Sequence, residues 1–248
     1  MKKLLSILIL SILLLNTGYS LVLAHHANEK YCFDCMHKYK IGDKKNDTYN
    51  FEINLQNNDL SKKVDEQLKD KKTGLVSYIL FENNKILVDQ NRKSKYRGGY
   101  YPSHSVGKSL VSLVTGYAVC DGYINSVFEN IDYPTVANTL YKNQKLLNLL
   151  NMQAGDDPIV GQRFYRKDNR IDGKGINVNS TPIKTVLKRH FEGKTGYGPG
   201  NHYNYSAMTT NVIMNYVIYK TGDDWEKLLH KIFVEDAKVE KSVYFGKS

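Results

Sequence analysis

Cysteine is scarce: three occur in 248 residues. Cys32 and Cys35 form Cys-Phe-Asp-Cys, and no second such pair exists to complete a four-cysteine zinc site. A haem attachment site needs His directly after the second Cys. Met36 stands there and His37 comes one place late, which excludes it. Three readings stay open for the pair: a local disulfide, an unbonded redox-exposed pair, or a metal site drawing on His25, His26 and His37. Cys120 falls on the apolar side of a helical pattern and is expected to be a small buried hydrophobe. An arginine-rich block is also missing. The net charge is +10 and the pI about 9.2, but the lysines are scattered. That balance favours anionic surroundings such as an envelope polymer or lipid headgroups, and no nucleic-acid partner is expected. A phosphate-binding loop is absent too. Gly107-Lys108-Ser109 ends like one, but position 102 is Pro102 rather than glycine, and no strand directly precedes the turn. No internal repeat is present. No cofactor and no metal is implied by what remains.

What is present begins with a leader. Lys2 and Lys3 precede an apolar run, Leu4 to Leu15, broken only by Ser6 and Ser11. Small residues follow at Gly18, Ser20 and Ala24. This is the pattern of a secretory signal peptide over residues 1–24, with cleavage after Ser20 or Ala24. The run is short for a membrane span. Leu21-Val22-Leu23 restores apolar character, so an uncleaved anchor is the alternative. No cysteine sits at the cleavage site, which argues against a lipid-modified N-terminus. An exported protein, periplasmic or extracellular, is expected, with membrane contact only through the leader.

Residues 25–50 are polar, lack periodicity and read as a linker carrying the Cys-x-x-Cys. The folded domain is expected over 51–248, where about 200 residues suffice for one good core. Phe51 to Leu55 alternates briefly as a short strand. Leu60, Val64 and Leu68 predict an amphipathic helix to Lys69. Gly74 to Phe81 and Ile86 to Gln90 predict a hairpin around Glu82-Asn83-Asn84-Lys85. Residues 91–104 read as a basic, Gly- and Tyr-rich loop. Further helices are predicted over Val106 to Asp121, Thr139 to Met152, Thr181-Pro182 to Phe191, Met208 to Lys220, and Trp225 to Phe233. Residues 156–180 read as a polar loop.

Chemistry concentrates where that first long helix opens. Ser105 and Lys108 are three residues apart and share one helix face, one turn apart. A serine hydroxyl is a weak nucleophile at neutral pH and needs a base beside it. A lysine can be that base where burial or neighbouring positive charge lowers its pKa. A helix N-terminus also offers free backbone N–H groups to a reacting carbonyl. The spacing alone is common by chance. The preceding hairpin, the apolar helix and the leader strengthen it.

In order and content, Tyr101 to Ile124, then Leu147-Leu149-Leu150-Asn151-Met152 with Gly155, then Pro199-Gly200 through Tyr205-Ser206, resemble the β-lactamase-related serine hydrolases. That family includes class C β-lactamases, D-alanyl-D-alanine carboxypeptidases, certain esterases and 6-aminohexanoate-dimer hydrolases. The resemblance covers about residues 74 to 240. It implies an α+β fold in which an antiparallel sheet begun by the hairpin meets a helical lobe, with the site at the cleft between them. It implies that Ser105 is acylated, that Lys108 is its partner in proton transfer, and that Tyr205 relays protons to the leaving group. The substrate would be a small-molecule or peptide-like ester or amide. A phenol beside an ammonium has a lowered pKa, which suits that role.

Two departures stand out. Ala207 occupies the place of an asparagine in the family's Tyr-Ser-Asn. The family's late Lys/His-Thr/Ser-Gly strand is not found; Lys194-Thr195-Gly196 and Lys220-Thr221-Gly222 match by letters but fall in turns. The chain reads as the first two-thirds of such a domain, incomplete at the C-terminus. Two alternatives to the hydrolase follow: a non-catalytic exported binding protein that holds cell-wall polymer, or an inactive truncated homologue.

Overall fold

A computed structural model describes residues 37–42, 48–55, 58–94, 105–160, 170–171, 176–177 and 182–246. The leader, the Cys32–Cys35 pair, most of the basic loop before Ser105 and much of the polar stretch after Pro158 lie outside the described residues. The chain divides into two compact units, one holding residues 49–103 and the other 34–48 with 104–248.

The first unit is a three-stranded sheet covered by one helix. Strands β2 (Glu52–Ile53), β3 (Ser77–Glu82) and β4 (Lys85–Asn91) lie in the order β2-β4-β3. β3 and β4 form the expected hairpin, antiparallel, with a register shift between Leu80 and Phe81. Asn83 and Asn84 both have positive φ, 49° and 62°. Two left-handed residues make the tight turn whose twist matches that of paired strands, and asparagine tolerates it best after glycine. Helix α1 (Asp59–Lys69) begins at Asn58, whose side chain accepts from the Ser61 backbone N–H at 3.0 Å. Its Val64 and Leu68 bury against Val88, with Leu75, Tyr78 and Leu80 alongside. Arg92, just past β4, donates from Nε to the Leu68 carbonyl at 2.6 Å and from Nη2 to the Asp70 carbonyl at 2.9 Å. The guanidinium thus satisfies the Leu68 carbonyl in the last turn of α1 and joins Thr73 on that of Asp70.

The second unit is mainly helical. Its elements are β1 (His37–Ile41), α2 (Val106–Cys120), α3 (Leu146–Leu150), β5 (Arg170–Ile171), β6 (Ile176–Asn177), α4 (Ile183–His190), α5 (Ala207–Thr221), α6 (Trp225–His230) and β7 (Val243–Gly246). α6 runs on into a π-helical segment, Lys231–Asp236. The central element is α5. Val212, Ile213, Met214, Tyr216 and Val217 are all buried, so it is covered on nearly every side. Ser206 caps it, accepting from the Met208 and Thr209 N–H groups. α2, α3, α4 and α6 contribute Val114, Ala118, Leu146, Leu149, Val186, Leu187, Leu228 and Leu229 to the same core. Tyr216 donates its hydroxyl to Glu129, which also meets Lys220 at 3.2 Å. Burial would raise the Glu129 carboxyl, but these partners and the Asn125 N–H hold it below its usual range.

Four expectations need correction. The helix expected over Thr139 to Met152 shrinks to Leu146–Leu150. Asn143 turns left-handed at φ 59°, and Lys145 bridges to Asn130 in extended backbone. The Ile131 N–H takes the Gln144 carbonyl at 2.8 Å, so residues that would continue a helix pair sideways instead. Second, the stretch read as a linker contains β1, which pairs antiparallel with β7. Third, β7 is itself a strand near the C-terminal end that the pattern did not predict; its Phe245 packs on Trp225 and Phe233. Fourth, Cys120 is exposed. The buried face of α2 carries Val114, Thr115 and Ala118, whereas Cys120 shares its side with Leu113 and Val106, 44% and 67% exposed.

Candidate active site

Ser105 stands immediately before α2 with φ −69° and ψ −17°, already helical, and its carbonyl accepts from the Lys108 N–H at 3.1 Å. The side chains of residues 105 and 108 therefore rise from one turn of backbone, as their spacing predicts. Ser105 is exposed and Lys108 half-buried.

Tyr205 reaches the same place from a distant stretch of chain. Residues 152–155 and 197–204 run against each other outside any regular sheet. The Tyr197 N–H donates to the Gly155 carbonyl, the Gly200 N–H to the Gln153 carbonyl and the Asn204 N–H to the Met152 carbonyl, each at 2.8 Å. Glycine makes this approach feasible. Gly155 has φ +71°, and a Cβ there would collide with the Tyr197 carbonyl oxygen. A Cβ on Gly196 would collide with the Gly155 carbonyl oxygen in turn. The last rung delivers Asn204, and Tyr205 follows it directly before the Ser206 cap of α5.

Ser105, Lys108 and Tyr205 line one cleft of about 230 Å³, floored by Val111, Leu150, Met152 and Ile213. The Lys108 ammonium lies 4.8 Å from the centre of the Tyr205 ring. Hydrogen bonding with Ser105, and then with Lys108 and its positive charge, holds the Tyr205 phenol below its ordinary range against the opposing effect of burial. All three residues singled out from the sequence thus meet, and every residue named around the cleft belongs to the helical unit. Chemically, the arrangement offers a hydroxyl, a phenol inclined to ionise and a cation beside it.

Ala207 is buried in the first turn of α5 and offers no polar group. Thr210, one residue group that the sequence reading missed, also lines the cleft. Its hydroxyl oxygen is buried without a hydrogen-bond partner among the described residues. The signal was slight: a polar residue one turn into an apolar helix. Lys194-Thr195-Gly196 lies outside any strand, and Lys220-Thr221-Gly222 closes α5, as expected for both. Among the described residues, no cluster of three or more His, Cys, Asp or Glu could hold a metal ion, and no helix is long and apolar enough to cross a membrane.

No family model matches the chain, and no curated protein matches it. Among solved structures, one described as "Putative 6-aminohexanoate-dimer hydrolase from Bacillus anthracis" superposes with a TM-score of 0.61 at 12% identity, over 89% of this chain and 63% of that one. At that identity the likeness is one of fold. The chain shares a β-lactamase-like arrangement of helices with small sheets, and it spans 63% of the length of the protein it matches.

Proposed function

We propose that the chain is an exported serine hydrolase that cleaves carboxylic esters or amides through an acyl-enzyme on Ser105. The observation that carries this reading is the convergence of Ser105, Lys108 and Tyr205 on one cleft, with the phenol held below its ordinary pKa by the other two. The Ser105 hydroxyl attacks the carbonyl carbon, and its proton passes to the Tyr205 phenolate. The tetrahedral intermediate expels the alcohol or amine, which takes up that proton. Water then attacks the acyl ester, giving one proton to the phenolate, and Ser105 regains its hydrogen as the acid departs. Lys108 keeps the phenolate form accessible through its charge. The apolar floor from Val111, Leu150, Met152 and Ile213 suits a small or peptide-like acyl group with an aliphatic body.

The test is single-turnover release of nitrophenol from p-nitrophenyl acetate as a function of pH. The wild-type rate is expected to rise through a transition below the ordinary phenol range, because the lowered pKa makes phenolate available at lower pH. Tyr205→Phe should slow acylation about 10²- to 10⁴-fold and remove that transition. An unchanged rate and profile in Tyr205→Phe would refute the assignment.

A further inference from the structure

Tyr205 is 36% exposed in the cleft, whereas the residues on either side of it, Asn204 and Ser206, are buried. Both sides run to one buried carboxylate. Asp156 is 0% exposed. Its Oδ1 accepts from Asn204 Nδ2 at 2.9 Å, directly before Tyr205. Its Oδ2 accepts from Thr209 Oγ1 at 3.3 Å, one helical turn after Tyr205, and from the Tyr141 hydroxyl at 2.7 Å. Asn204 is itself 1% exposed and also donates to the Val160 carbonyl at 3.0 Å. Tyr141 is fully buried, its ring 5.4 Å from that of Phe191. A buried carboxylate is costly unless its oxygens are satisfied, and here both are, by three side chains.

Resting on the acyl-transfer reading above, we infer that Asp156 is a positioning residue for Tyr205. It grips the chain one residue before and four residues after the phenol and ties both to the Tyr141 wall. It touches neither substrate nor reacting atoms. In Asp156→Asn, one carboxylate oxygen becomes an NH₂ group facing donors. At least one of Asn204, Thr209 and Tyr141 then loses its acceptor, and Tyr205 loses its fixed orientation.

The experiment is a double-mutant cycle on p-nitrophenyl acetate turnover, using the whole protein. Asp156→Asn should lower kcat at least tenfold with KM changed less than about twofold, since an apolar floor remains to bind the acyl group. In a Tyr205→Phe background the same change should cost less than about twofold more, because the group being oriented is gone. A merely structural role would multiply through in full, and that result overturns the inference. Should Asp156→Asn fail to fold, Asn204→Ala and Thr209→Val carry the same cycle, each removing one grip. Losses of several-fold that vanish in Tyr205→Phe support the inference, and losses that persist there refute it. Failure of the parent reading looks different: wild type and Tyr205→Phe would then turn over equally.

Discussion

In the helical unit, side chains as large as Tyr141, Tyr216, Phe191 and Leu149 are fully buried; in the sheet unit, the buried hydrophobes among the described residues are Val64, Leu68 and Val88. The sheet uses one face against α1. On the other side of β3, Ile79 and Phe81 are 61% and 50% exposed, and Phe81 meets the ring of Phe51 edge-on at 5.1 Å. One unit draws its stability from a filled interior. The other depends on a thin layer beneath a single helix, with apolar side chains on both faces of its strands. The candidate chemistry sits in the unit with the filled interior, where surrounding side chains are locked in place.

The sharpest way to break this comparison is at the rungs between residues 152–155 and 197–204. Gly155→Ala adds a Cβ that collides with backbone rather than with a yielding side chain, at a φ that alanine disfavours. It should cost more than about 3 kcal/mol or abolish folding, read by thermal or urea unfolding. A variant as stable as wild type would mean that the two segments do not pair this closely. Next in size is a matched pair of substitutions. Leu149→Ala should cost about 2–5 kcal/mol through the cavity left in the helical core. Phe81→Thr, on the exposed side of the sheet, should cost less, about 0.5–1.5 kcal/mol, chiefly through the lost ring contact with Phe51. Similar losses for both would erase the distinction drawn between the units.

Much of this was legible in the sequence because it is local. Asn83-Asn84 between two β-branched runs specifies a hairpin. The spacing of Val64 and Leu68 specifies α1, and the apolar run ending at Thr221-Gly222 specifies α5. Ser105 and Lys108 needed only a spacing, and Tyr205 a place after Pro199-Gly200 and before an apolar helix. What stayed hidden depends on partners far along the chain. β1 and β7 are short, and each becomes a strand by pairing with the other across some 200 residues of sequence, a separation that Ser242 spans in bonding to the Gly42 carbonyl. Leu140 to Gln144 have helical composition but form turns, with Asn143 and Gln144 tied to Ile131. Cys120 sits on an apolar stripe of α2, and the pattern could not tell which of two apolar faces would be buried. Asp156 and Thr210 are ordinary polar residues by type. Only the burial of their oxygens marks them, and no spacing reports burial.

The central claim is that Ser105 becomes covalently acylated, and intact-protein and peptide mass measurement after treatment with a fluorophosphonate probe tests it most directly. One adduct per chain, mapped to the peptide containing Ser105 and lost in Ser105→Ala while labelling continues in Phe81→Thr, is the predicted result. Equal labelling of Ser105→Ala, or an adduct mapped to another residue, would contradict it.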